Sequence, residues 1–157
     1  MIRKIITVLC VTFLTSGLIL SNVSALEPST TKTFVEEKFE DGSYIETIIV
    51  ADNAPTKATT RSGKKTSTFK GSDGTAMWSI TVNGKFTYNG KSATCTSSIY
   101  SKADYSISWK LSNAKASKSG ATASASVTAK QYHQNGSVLR TINRTVKLTC
   151  SPTGSLY

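Results

Sequence analysis

His133 is the only histidine in the chain, and it sits in Gln131-Tyr132-His133-Gln134-Asn135-Gly136, beside a turn dipeptide. A serine nucleophile needs an imidazole base that an acid orients, and no Gly-x-Ser-x-Gly elbow accompanies this histidine. Hydrolysis by paired carboxylates would need two acids within about 10 Å of each other. Between Ala54 and Tyr157 only Asp73 and Asp104 are available for that work. Asp73 precedes Gly74 in a turn sequence and Asp104 opens a strand pattern, so both read as local structure formers. Glu36, Glu37, Glu40 and Glu46 read as a solvated face. One histidine and no Cys-x-x-Cys pair leave no zinc, copper or redox set. The glycines mark turns rather than a phosphate-cradling loop. No catalytic residue, metal or cofactor is expected, and the chain reads as a non-enzyme.

What the residues offer instead is charge. From Ala54 to Tyr157 there are fifteen Lys and Arg against the two aspartates, while Leu26 to Asn53 holds seven acids against Lys32 and Lys38. A chain divided in this way turns its larger part toward anionic partners. Lys57, Arg61, Lys64 and Lys65 cluster together, and Lys85, Lys91, Lys110, Lys130, Arg140, Arg144 and Lys147 fall on or beside strand patterns. Strand lysines commonly keep sheet edges from pairing. The functional alternative is a face for anionic wall polymers, acidic glycans, lipid head groups or an acidic protein, with Lys110, Lys130, Arg140, Arg144 and Lys147 as the candidate ligand-binding residues. Nucleic acid is disfavoured, because Trp78, Phe86, Tyr88, Tyr105 and Trp109 follow a core alternation and not a stacking platform.

Arg3 and Lys4 precede an apolar run from Ile5 to Leu20, and Val23-Ser24-Ala25 offers small residues at a cleavage point. Residues 1–25 therefore read as a signal peptide, and the run falls short of the roughly 18 to 20 residues of a bilayer span. Cys10 leaves with it. Cys95 and Cys150 remain, and an even count in an exported chain makes a disulfide the default reading, with two unpaired buried thiols as the alternative. Closing a loop of that length contributes about 4 kcal/mol in the chain-entropy model.

No stretch after the leader keeps a helical period. Ala76, Trp78, Ile80 and Val82 alternate with polar residues, as do Ala93 and Cys95, then Tyr105, Ile107, Trp109 and Leu111, then Ala121, Ala123, Ala125, Val127 and Ala129. The alanine run has a strand period despite its helix-favouring composition. Asn83-Gly84, Asn89-Gly90 and Asn135-Gly136 suit hairpin turns, but the first two stand too close for both to turn, so Gly84 marks a bulge in a longer strand. Val138, Ile142, Val146, Leu148 and Cys150 form a last strand, with Arg140 and Arg144 interrupting its apolar face. Phe34 to Val50 reads as a hairpin around Asp41-Gly42, either docked on the basic part or mobile until a partner arrives. The expected organisation is an acidic arm or hairpin over 26–53, a linker over 54–65 and a basic domain over 66–157.

Six to eight short strands predict an all-β fold, a small antiparallel β-sandwich with one disulfide. Cys95, Trp109 and Cys150 have the spacing of an immunoglobulin-like sandwich. Leu148 replaces the tyrosine expected two residues before the second cysteine, so the likeness is one of architecture only.

The runs Trp78-Ser79-Ile80-Thr81-Val82-Asn83-Gly84-Lys85-Phe86-Thr87-Tyr88-Asn89-Gly90, Ser92-Ala93-Thr94-Cys95-Thr96, Ser117-Lys118-Ser119-Gly120 and Thr145-Val146-Lys147-Leu148-Thr149-Cys150 stand out, with Glu40-Asp41-Gly42-Ser43-Tyr44-Ile45-Glu46-Thr47 upstream. Through them the chain resembles a family of small secreted proteins of unknown function from Gram-positive, clostridia-like bacteria. The resemblance implies a secreted bacterial β-sandwich with a Cys95 to Cys150 bridge and brings no catalytic or ligand residue with it. The resulting expectation is a secreted binding or surface module, loosely wall-associated, that meets an anionic cell-wall polymer, glycan or protein. The alternative is a bacteriocin-like or toxin-like effector acting on membranes.

Overall fold

The structure is a computed structural model that describes residues 29–52 and 59–157. The expected signal peptide lies outside the described residues, as does residue range 54–58 of the expected linker. Eight strands follow one another: β1 (Thr30–Lys38), β2 (Tyr44–Ala51), β3 (Thr60–Lys70), β4 (Ala76–Tyr88), β5 (Ala93–Asp104), β6 (Trp109–Ser119), β7 (Thr122–Tyr132) and β8 (Val138–Thr149). Strands β1 to β5 form one antiparallel sheet in sequence order, sheet A, and β6 to β8 form a second, sheet B. The two are packed face to face, with β4 against β7 and β3 against β8.

The chain is thus a β-sandwich built from two consecutive meanders. An immunoglobulin domain instead carries Greek-key crossings between its sheets, so the likeness stops at two layers.

The interior explains why an alanine-rich strand suffices. Ala123, Ala125, Val127 and Ala129 of β7 are buried, and opposite them stand the fully buried Trp78, Ile80, Val82 and Phe86 of β4. Small residues facing large ones let two layers interdigitate. Toward one end Phe69 stacks on Trp78 with ring centroids 5.6 Å apart, and Trp109 leans on both at 5.0 and 6.0 Å. Such pairs add about 0.5–1.5 kcal/mol each beyond area burial.

Gly84 makes this packing possible. It lies inside β4, pairs with Gly63 of β3, and precedes a register shift at Lys85/Phe86, so it belongs to one long strand as the close spacing of the two Asn-Gly pairs requires. A Cβ at Gly84 would stand 2.5 Å from the Phe86 ring, and one at Gly63 would stand 2.4 Å from Leu156 and 2.7 Å from the Val50 carbonyl oxygen. Asn89-Gly90 and Asn135-Gly136 do turn, with positive φ at both glycines.

Three sequence expectations change. The stretch expected to be a linker to residue 65 contains most of β3, a central strand of sheet A, because backbone pairing with β2 and β4 outweighs its Thr, Ser, Gly and Lys composition. The acidic segment is therefore no separate arm: β2 buries Ile45, Thr47, Ile49 and Ala51, while every residue of β1 is exposed. Tyr105 and Ile107 do not continue an apolar strand face either. The chain turns the corner between the sheets there, leaving Ile107 fully exposed.

Candidate anion-binding face

The outer face of sheet B is built by alternation and by one bulge. Lys110 and Ser112 of β6 point outward opposite Lys130 and Thr128 of β7. At Ser112/Lys115 the register slips by one residue, and Asn113 takes φ 53°, a left-handed conformation that asparagine tolerates better than most residues. The slip reverses the strand's parity. Lys115 comes out opposite Ser126, whereas Lys118 turns toward the layer between the sheets and donates to the Thr96 carbonyl at 2.7 Å. On β8, Lys147 stands outward opposite Ser124, and Thr141, Asn143 and Thr145 complete the surface.

Lys110, Lys115, Lys130 and Lys147 thus share one face with hydroxyl and amide side chains. No Asp or Glu occurs after Asp104 in the sequence, so no strand of sheet B carries a carboxylate. Lys110 and Lys130 stand directly opposite each other, an arrangement of like charges that destabilises a sheet unless an anion lies between them. Lys110 Nζ also sits 5.4 Å from the centroid of the Tyr132 ring. A shallow groove of about 540 Å³ crosses this face beside Asn113 and Asn143, where Thr128 Oγ1 donates to Asn143 Oδ1 at 2.9 Å.

Arg140 and Arg144, grouped with these lysines by sequence, go elsewhere. They share the inward parity of Ile142, Val146 and Leu148 and enter the gap between β8 and the first strands of sheet A. Arg144 donates from Nε and Nη2 to Ser67 Oγ at 3.2 and 3.0 Å, and Ser67 in turn meets Thr47 Oγ1 at 3.1 Å. The same guanidinium is ion-paired with Glu36 and stands 3.9 Å from Glu37. Lys65 Nζ approaches Glu36 at 3.7 Å. Arg140 reaches Asp41 Oδ2 at 2.6 Å and Ser43 Oγ at 3.3 Å, and lies over the Phe39 ring at 5.3 Å.

Burial pulls the pKa of Arg144 below the usual guanidinium value and that of Lys65 below the usual ammonium value. An arginine keeps its charge, and the acids of the hairpin pair with both arginines within the molecule. The structure therefore docks the hairpin on the basic part and separates the five sequence candidates into three surface lysines and two interlayer arginines. Lys115 was missed. The sign of it was the switch of apolar parity from Trp109 and Leu111 to Ala114 and Ala116.

The residues weighed for catalysis stand apart. His133 is exposed in the β7–β8 turn. Asp73 spends both carboxylate oxygens on Thr75, accepting from its N–H at 2.9 Å and its hydroxyl at 2.8 Å. Asp104 pairs with Trp78 at the end of β5. Among the described residues no three His, Cys, Asp or Glu side chains gather as a metal site, and no helix is long and apolar enough to cross a membrane.

Cys95 projects from β5 of sheet A and Cys150 directly follows β8 of sheet B; both are buried and both carry free thiols. Their backbone N–H groups bond the neighbouring carbonyls of Gly120 and Ala121, at 2.7 and 3.0 Å. Burial pushes both thiol pKa values up. Comparison with protein-family models, curated proteins and solved structures gives no match.

Proposed function

We propose that this protein is an exported, non-enzymatic binding module that holds an anionic polymer of the cell exterior against the outer face of sheet B, in loose association with the wall. The observation that carries this reading is the convergence of Lys110, Lys115, Lys130 and Lys147 on one carboxylate-free face. The face suits an extended polyanion: it is open, hydroxyl-rich and crossed by a shallow groove, and its charges attract at range. Glu36, Glu37 and Asp41 hold Arg144 and Arg140 inside, which leaves the lysines as the cations that meet a ligand.

A Cys95–Cys150 bridge belongs to the same reading. The two cysteines lie on opposite sheets beside one turn, and joining them releases two protons and passes two electrons to an extracellular thiol oxidant. The test of the function is co-sedimentation of the protein with isolated Gram-positive walls at low and high salt. Strong capture at low salt that fades as salt rises supports it, and salt-independent capture or none opposes it.

One observation favours a second reading, an effector that acts on membranes. Ile107 is fully exposed, and Tyr105, Val138 and Leu139 are about half exposed at the same end of the sandwich. Dye release from anionic vesicles separates the two: the binding module leaves the vesicles intact.

A further inference from the structure

A second cationic site lies on the inner side of sheet A, where sheet B does not reach. Thr30 and Lys32 of β1, Ile49 and Ala51 of β2 and Arg61 of β3 share the inward parity there. The last residues fold back over them: Cys150 and Leu156 form a bridge, and Thr149 and Tyr157 exchange backbone hydrogen bonds at 2.9 and 3.1 Å. Between the sheet and this hook is a pocket of about 130 Å³, closed by Ser155 and Leu156.

The pocket combines three features. Its charged lining residues are Lys32 and Arg61, and no Asp or Glu lines it. Arg61 Nε is buried, and among the described residues it has no hydrogen-bond partner. A buried donor of a charged group left unmet is costly, and because Nε has almost no accessible surface, an oxyanion meets it once the Arg61 side chain turns its Nε edge into the pocket. Beside the cations the surface is apolar, through Ile49, Ala51 and Leu156, the last held at the bare Cα of Gly63.

Size then limits the ligand. At about 130 Å³ the pocket holds several waters and is the smallest of the described cavities. That suits a carboxylate with a tail of a few carbons. We infer that this pocket binds a small aliphatic carboxylate, its oxygens on Arg61 and Lys32 and its tail against Ile49 and Leu156. The site lies on another surface from the lysine face and stands or falls independently of polymer binding.

The experiment is an NMR titration of the full chain, labelled with 15N, using sodium butyrate, butyramide and sodium phosphate at constant ionic strength. Butyrate is expected to shift the Arg61 Nε–H and the Ser155 and Leu156 amide signals saturably at millimolar concentrations. Butyramide, which has the tail without the charge, should leave them in place, and phosphate should bind at least tenfold more weakly. Arg61→Lys keeps the charge but loses the Nε edge and should weaken butyrate at least tenfold. Lys32→Gln, on an exposed strand that the core does not need, should weaken it several-fold with an unchanged amide spectrum. Equal shifts with butyramide, unsaturable shifts, or full-strength binding by Lys32→Gln in a folded protein would overturn the site. Tighter binding of phosphate than of butyrate would overturn the carboxylate assignment.

Discussion

Replacing Arg144 by methionine separates a structural cation from a ligand-binding one. Methionine keeps most of the apolar stem but removes the guanidinium from Ser67 and Glu36. The two contacts to Ser67 end on one oxygen and count as one charge-assisted bond, worth about 1.5–3 kcal/mol. The ion pair with Glu36 has side chains only 16% and 24% exposed, so its loss falls between the roughly 0.5 kcal/mol of a surface pair and the 3–5 kcal/mol of a buried one. The sum expected is about 3 kcal/mol, or roughly 10 °C in Tm for a domain of this size. Urea unfolding followed by tryptophan fluorescence reads it well, since Trp78 and Trp109 are both buried in the interior. Adding Glu36→Gln to the variant should recover little, because without Arg144 the Glu36 carboxylate still has Lys65 at 3.7 Å. Wall binding by the folded variant should stay within about twofold of the parent. An unchanged urea midpoint together with lost binding would refute the reasoning and return Arg144 to the ligand face.

Gly63→Ala should cost at least about 2–3 kcal/mol by the same urea assay, because the new methyl meets the backbone of Val50 and Ala51, which cannot step aside. Material recovered from an oxidising exterior should show no free thiol by alkylation and mass spectrometry, and reducing it should lower stability by about 4 kcal/mol. Stability should also fall in acid. The Ser43 hydroxyl at 2.5 Å, then the Ser43 N–H and Arg140, hold the Asp41 carboxyl below the ordinary aspartate value, and the Thr75 N–H and hydroxyl do the same for Asp73. With folded-state values lowered, the unfolded chain takes up protons first, so this stabilisation is present above about pH 4 and is lost as pH drops below it. Urea midpoints measured from pH 6 to pH 2.5 should show that slope, and Asp41→Asn should flatten part of it.

Strands with strict alternation could be read from sequence alone: Trp78, Ile80 and Val82 on β4, and the buried alanines of β7, lie where a period of two puts them. β3 could not be read that way. Its inward positions are Arg61, Gly63, Lys65, Ser67 and Phe69, only one of them a large apolar residue, since this strand faces an ionic network and a C-terminal hook. The same network hid the fate of Arg140 and Arg144. Two cations on an apolar strand face look like an interruption until the acids of β1 and its turn are seen to meet them across the layers. Lys115 was hidden by a bulge, and Ile107 by a corner that interrupts an otherwise regular alternation. The lysine face was half legible: charge excess is a property of composition, but which cations remain free depends on which carboxylates the fold brings to the others.

The most direct measurement compares two variants of equal charge. Lys110, Lys115, Lys130 and Lys147 are changed together to Gln in one, and the exposed Lys38, Lys64, Lys85 and Lys91 in the other. Capture by isolated walls is then followed across salt concentration. The account predicts that the first variant, folded by circular dichroism, loses at least tenfold in capture and most of its salt dependence, while the second stays within about threefold of the parent. Equal losses in both would reduce the face to net charge alone, and undiminished capture by the first would contradict the account outright.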